Sequence, residues 1–367
     1  MTAAEVFGTP LAPLPGQPDG VAWPTRSWPR AEPANAALDR LLDEAFDDDG
    51  QLAPTYAVAV VEGGVLVRER YGGRDRRGGT LTPVGEGTAL LSWSIAKSVL
   101  HGVVGVVVGD GRLDLDAPAP VAAWSAPSSD GADGRASITV RQLLEMRDGL
   151  DFVESYVESG VSDVREMLWG AGRHDVAAFA ADRPLAAVPG SRFHYSSGTS
   201  NIVSGIVAGV LGPGERYREF LAERLFGPLG MTSATATFDA AGTWVASSYL
   251  YATARDFARF GLLYLRDGIW DDRRILPRGW VDQARTPRSV DPDDGAVHGA
   301  HWWVVGDDHG SFWASGYRGQ SLTVCPGLDL VVVRLGDTAD DGAEALRRWR
   351  AAVVAAVAGQ PSVATSG

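Results

Sequence analysis

Ser92-Trp93-Ser94-Ile95-Ala96-Lys97-Ser98, running on through Val99-Leu100-His101-Gly102-Val103-Val104-Gly105-Val106-Val107-Val108, is the stretch on which the reading of this chain turns. It is apolar on nearly every helical face, which predicts a helix buried in the interior. Ser94 and Lys97 stand three residues apart at its start, so their side chains share one face. Burial favours the neutral form of a lysine, and a neutral amine beside a hydroxyl is what a serine nucleophile requires. The helix N-terminus adds a field that favours an oxyanion on the acyl carbon. A lysine snorkelling from a helix end is the ordinary alternative. Composition weighs against it: of 33 basic residues, 32 are arginines and Lys97 is the one lysine. Arginine serves wherever a fixed charge suffices, but it does not titrate, and a site that needs a titrating amine must keep a lysine.

Working outward, 367 residues are enough for two lobes with a sizeable core. Apolar residues make up 45% and charged ones 22%, an ordinary globular composition. The formal charge of -13 argues against nucleic acid or an anionic membrane as partner. The longest apolar run, 103–108, is too short to span a bilayer. The first 25 residues hold no Lys or Arg and no long apolar stretch, so no secretory signal is read and a cytoplasmic location is expected. Cys325 stands alone and reads as a small buried hydrophobe. Asp47-Asp48-Asp49 and Asp293-Asp294 lack EF-hand spacing, and no metal or cofactor is expected. The histidines form no H-E-x-x-H; His298 and His301 fall between loop and strand and read as structural or pocket-lining. No G-x-S-x-G, G-x-G-x-x-G or P-loop occurs.

Residues 1–34 are Pro-rich and aperiodic and read as an extended arm. A helix is expected over Ala36 to Phe46, then strands over Tyr56 to Val61 and Val65 to Tyr71 about a Glu62-Gly63-Gly64 turn. Helical patterns at Val140 to Met146, Ile202 to Leu211 and Ala254 to Leu265 fill the middle. Strands are expected at Trp302 to Val305, Ser311 to Ala314, Ser321 to Val324 and Leu328 to Leu335, then a helix from Ala343 to Ala358. The fold class is therefore α+β. Residues 35–115 and 286–360 are expected to share one antiparallel sheet flanked by helices, with 116–285 as a mainly helical lobe. A cleft between the lobes is the place for a site.

The chain also resembles a family, the class C β-lactamases, penicillin-binding carboxypeptidases and their esterase and amidase relatives. Ser94-Ile95-Ala96-Lys97 is similar to their first motif. Phe193-His194-Tyr195-Ser196-Ser197, between Pro189-Gly190 and Gly198-Thr199-Ser200-Asn201, is similar to the second. Ala314-Ser315-Gly316, followed by Tyr317 and Gly319-Gln320, is similar to the third. Ile138 to Leu144 and Asp148-Gly149-Leu150 also fit, so the resemblance spans about 35–358. It implies a β-lactamase/transpeptidase-like fold with Ser94, Lys97 and Tyr195 catalytic. Tyr195 would act as base with a pKa depressed by the lysine, and the backbone N–H groups of Ser94 and Tyr317 would form the oxyanion hole. Ser197, Ser315 and Gly316 would contact substrate.

Two departures shape the expected activity. Position 314 is Ala where those enzymes place a cation or His, and position 197 is Ser where they place Asn. With no cation at 314 to grip a carboxylate, β-lactam hydrolysis is at most a side activity; Arg318 is either a substitute or a surface residue. Asp151-Phe152-Val153-Glu154-Ser155-Tyr156-Val157-Glu158 resembles the loop of the 6-aminohexanoate-dimer hydrolases, in which a tyrosine meets the scissile amide. Tyr156 either does this or merely packs. The expected function is hydrolysis of small esters or amides through an acyl-serine. D-amino-acid peptidase, carboxypeptidase or β-lactamase activity, or a non-catalytic ligand-binding relative, are the alternatives. The expected partner is a small-molecule substrate, and the sequence leaves the oligomeric state open.

Overall fold

The structure is a computed structural model that describes residues 7–77, 80–125, 133–156 and 160–359. Residues 1–6 of the arm, Val157 and Glu158 of the tyrosine-bearing loop, and residue 360 lie outside the described residues.

Eight antiparallel strands form one sheet. In chain order they are β1 (Thr55–Glu62), β2 (Val65–Tyr71), β3 (Ser289–Val290), β4 (Val297–His298), β5 (Trp303–Val304), β6 (Phe312–Gly316), β7 (Gln320–Cys325) and β8 (Leu330–Gly336). Their spatial order is β3-β4-β5-β6-β7-β8-β1-β2, so the early hairpin joins the late strands through β1 against β8. Strand alternation sorts side chains to the two faces. Val58 and Val60 of β1, with Leu330 and Val332 of β8, pack on α1 (Ala36–Ala45) and the last helix of the chain. Ala57, Ala59 and Val61, with Val331 and Val333, face the main core, which contains α2 (Ile95–Gly109).

Each local element has its cause in the sequence. Asn35 caps α1, its side chain accepting from the Leu38 N–H at 3.0 Å. Helix α2 is buried from Ile95 to Val107, as its composition requires. Helix α3 (Ser197–Leu211) begins five residues before the expected Ile202, because Ser196 supplies the N-cap, accepting from the Thr199 N–H at 3.1 Å. The expected helix from Val140 stops at Leu144, just before Met146, which adopts φ 56°. Helix α4 (Ala254–Leu265) lies close to the sheet, where a side chain on Gly261 would collide with Val331 and Leu322. Helix α5 (Ala343–Ala358) closes over α1, with the Trp349 indole donating to the Leu41 carbonyl at 2.8 Å. The arm lies extended over the surface, held by Arg259 donating to the Pro24 carbonyl at 2.8 Å and by Trp23 packing on Trp270. No helix among the described residues is long and apolar enough to cross a membrane.

Candidate active site

Trp93 turns the chain at φ 47°, an uncommon conformation for a bulky residue, immediately before Ser94. Ser94 occupies the N-cap of α2, but its side chain makes no capping bond. The hydroxyl instead accepts from Lys97 Nζ at 2.8 Å. Lys97 Nζ also donates to the Ser247 carbonyl at 2.9 Å and to Ser197 Oγ at 3.1 Å. Burial pulls the Lys97 pKa down to about 8, with nearby Glu154 opposing the shift. At neutral pH roughly a tenth of the molecules then hold it as a free amine.

Tyr195 also faces Ser94 across the cavity that both line. Lys97 Nζ lies 5.0 Å from the Tyr195 ring centroid. Trp303 stacks on the ring at 5.6 Å. The expected depression of its pKa is corrected here: burial, reinforced by Glu154, pushes it up. Desolvation leaves Tyr195 a phenol that holds its proton, while Lys97 is the one of the two whose pKa lies near neutrality.

Ser197, the departure from the family Asn, is the junction of the site. It donates its N–H to Glu154 Oε2 at 2.7 Å and its hydroxyl to Glu154 Oε1 at 2.6 Å while receiving Lys97. The Tyr156 hydroxyl lies near the Ser197 and Ser248 side chains, which oppose the upward push that burial gives its pKa. The Tyr156 ring stacks on Tyr317 at 4.8 Å and meets Trp93 edge-on at 6.3 Å. Tyr156 therefore packs, with its hydroxyl near Ser197.

On β6, Ser315 and Gly316 line the same cavity as Ser94, Tyr156, Tyr195 and Tyr317, a space of about 530 Å3. Glycine is required at 316, since a Cβ there would run into the Ser92 carbonyl. Ala314 alternates onto the buried face. Arg318 is bound to Asp337, Nε to Oδ1 at 2.6 Å, so it is a paired cation at the rim.

Asn201, read from the sequence only as motif context, and His301, read as structural or pocket-lining, both hold the surroundings of Lys97. Asn201 grips Ser247, accepting from its N–H at 3.1 Å and donating to its Oγ at 3.2 Å, which fixes the carbonyl that receives Lys97. His301 shares a hydrogen bond from Nδ1 with the Lys97 carbonyl at 3.0 Å, and its own carbonyl accepts from Ser98 Oγ at 2.6 Å. Burial pushes both His298 and His301 well below the usual imidazole range, so both are neutral beside the site. Glu154 was visible only as part of a loop quoted for its tyrosine. Among the described residues no group of three or more His, Cys, Asp or Glu is placed to hold a metal ion.

Comparison with known proteins gives three findings. Residues 38–357 match the family described as Beta-lactamase. The chain is 29% identical over 347 residues to the 6-aminohexanoate-dimer hydrolase of Paenarthrobacter ureafaciens, covering 88% of this chain and 84% of that protein. Among solved structures it resembles a putative 6-aminohexanoate-dimer hydrolase from Bacillus anthracis, with TM-score 0.72, 22% identity, and 95% and 90% of the two chains covered. It also resembles an octameric penicillin-binding protein homologue from Pyrococcus abyssi, with TM-score 0.66, 19% identity, and 87% and 76% covered.

Proposed function

The chain belongs to the β-lactamase family and is a serine hydrolase with the β-lactamase/transpeptidase-like fold, and from that premise we propose that it cleaves small linear amides and esters through an acyl-Ser94 intermediate. The observation that carries this is the Lys97 amine, buried, drawn down to a pKa of about 8 and 2.8 Å from Ser94 Oγ.

Neutral Lys97 takes the Ser94 proton as Oγ attacks the substrate carbonyl. The Ser94 and Tyr317 N–H groups receive the oxyanion. Tyr195, kept protonated, passes its proton to the departing oxygen or nitrogen and is reprotonated through Lys97. Water then enters, the same groups manage its proton, and the acyl group leaves as an acid. Ser197 and Glu154 keep the lysine in register, and Ser315 and Gly316 flank the substrate. The reaction as written needs neither metal nor cofactor. A small-molecule substrate, with no nucleic acid or membrane partner, fits a -13 charge. A cytoplasmic location fits the single, unpaired, buried Cys325.

The test is labelling. A fluorophosphonate should add its mass stoichiometrically to the peptide containing Ser94; an adduct on another serine, with Ser94→Ala still active, overturns the proposal.

Amide cleavage makes a further demand. An amine leaves only when its nitrogen is oriented and protonated, whereas a phenoxide departs readily. Tyr156 lines the cavity with its hydroxyl near Ser197. Tyr156→Phe should lower kcat/KM for a linear amide by about tenfold or more, near 1.4 kcal/mol, with p-nitrophenyl acetate little changed. An equal fall on both substrates would reduce Tyr156 to a packing residue.

A further inference from the structure

The cavity does not end at the reacting atoms. It continues along β6 to α5, where Trp313, Leu346, Arg347 and Arg350 line it. Phe312, Ala314 and Gly316 of β6 are buried while Trp313 and Ser315 are half-buried, so those two share the face that forms the wall. Arg350 lays its guanidinium over Trp313, 3.4 Å from the ring centroid.

The other arginines of this cavity are occupied. Arg318 is paired with Asp337 and Arg347 with Glu344. Arg334 donates to the Leu52 and Gly319 carbonyls and the Thr55 and Thr338 hydroxyls. No described residue gives Arg350 a carboxylate or carbonyl partner. A guanidinium stacked by one face keeps its in-plane donors open, the fork that matches a carboxylate. Burial and the neighbouring Arg347 draw its pKa down to about 10, so it stays cationic at neutral pH.

Resting on the hydrolase reading above, we propose that Arg350 is the specificity-determining residue of the cavity, holding a carboxylate at the far end of a linear ester or amide whose scissile carbonyl lies at Ser94. Trp313 is three residues along the strand from Gly316, about 10 Å. The carboxylate and the carbonyl are therefore separated by a chain of several methylenes, a longer reach than a fused β-lactam offers. The family position for a cation, 314, points into the core; here the charge enters the cavity from α5.

The test compares an acid with its neutral twin. Mono-p-nitrophenyl adipate and suberate are assayed beside their methyl half-esters, on wild type, Arg350→Gln, Arg350→Lys and Arg348→Gln. For a carboxylate on the amine side, N-acetyl-6-aminohexanoate and its methyl ester are titrated calorimetrically into Ser94→Ala protein, with and without Arg350→Gln. The acid should be preferred by about tenfold or more in at least one arm. Arg350→Gln should erase that preference, chiefly through KM or Kd, and Arg350→Lys should keep part of it. Arg348→Gln, which removes the same charge from α5 outside the cavity, should leave the ratio as it was. A ratio unmoved by Arg350→Gln in both arms overturns the proposal. Acid binding that depends on Arg350, with no turnover of any ester or amide, overturns the hydrolase reading and leaves this one standing.

Discussion

Lys97→Arg is expected to lower turnover of every substrate by about 10²–10⁴-fold, although it keeps the charge. Arginine holds its proton above pH 12 and cannot accept one from Ser94. The geometry opposes it as well. Nζ serves three acceptors, Ser94 Oγ, Ser197 Oγ and the Ser247 carbonyl, which suits a tetrahedral ammonium and not a planar fork. The residue is also costly. Its folded pKa of about 8 lies below the ordinary 10.5, so between those values the unfolded chain binds more protons and stability rises with pH. Below that window the buried charge costs about 3 kcal/mol, a penalty a purely structural lysine would have no reason to carry. The check is kcat/KM for a p-nitrophenyl ester on both proteins, with circular dichroism to establish that the variant folds. Retention of more than about a tenth of the rate would make Lys97 structural.

What the sequence disclosed and what it withheld divide along physical lines. Helix α2 was legible because an all-round apolar helix has only one place to go, and helix α5 kept the bounds Ala343–Ala358 that its periodicity suggested. The joining of β1 to β8 followed from strand runs at both ends of the chain. The start of α3 was missed because Ser197-Gly198-Thr199-Ser200 reads as loop by propensity, and the Ser196 cap decides otherwise. Ser94, Lys97 and Tyr195 were singled out by the first two of three ordered motifs, and the structure brings them together. Their protonation was not legible. Composition cannot tell that Tyr195 is buried deeply enough for desolvation to hold its proton on, nor that Glu154, 41 positions away, adds its charge to both. Arg350 is one of 32 arginines, and only the fold singles it out, by the cavity it enters and by the lack of a carboxylate partner among the described residues.

The pH profile of an uncharged ester should therefore rise and then level, with one midpoint near the Lys97 value of about 8. Only the free amine can take the Ser94 proton, so kcat/KM should climb about tenfold per unit well below the midpoint and about fiftyfold from pH 6 to pH 8. Other candidate groups do not blur that limb. His298 and His301 are pushed far below it by burial and stay neutral throughout. Tyr195 is pushed above its ordinary range and remains a proton donor, so it produces no fall on the alkaline side of the plateau. Had Tyr195 been the base, the limb would instead track the phenol and keep rising beyond pH 10. Glu154 gives the profile a second handle. Its carboxylate raises the Lys97 pKa against burial, so Glu154→Gln should move the limb to lower pH, even as the loss of the Ser197 anchor reduces the plateau. A midpoint that ignores Glu154→Gln, or a profile flat between pH 6 and 8, would remove Lys97 from the role of base and return the search to Tyr195.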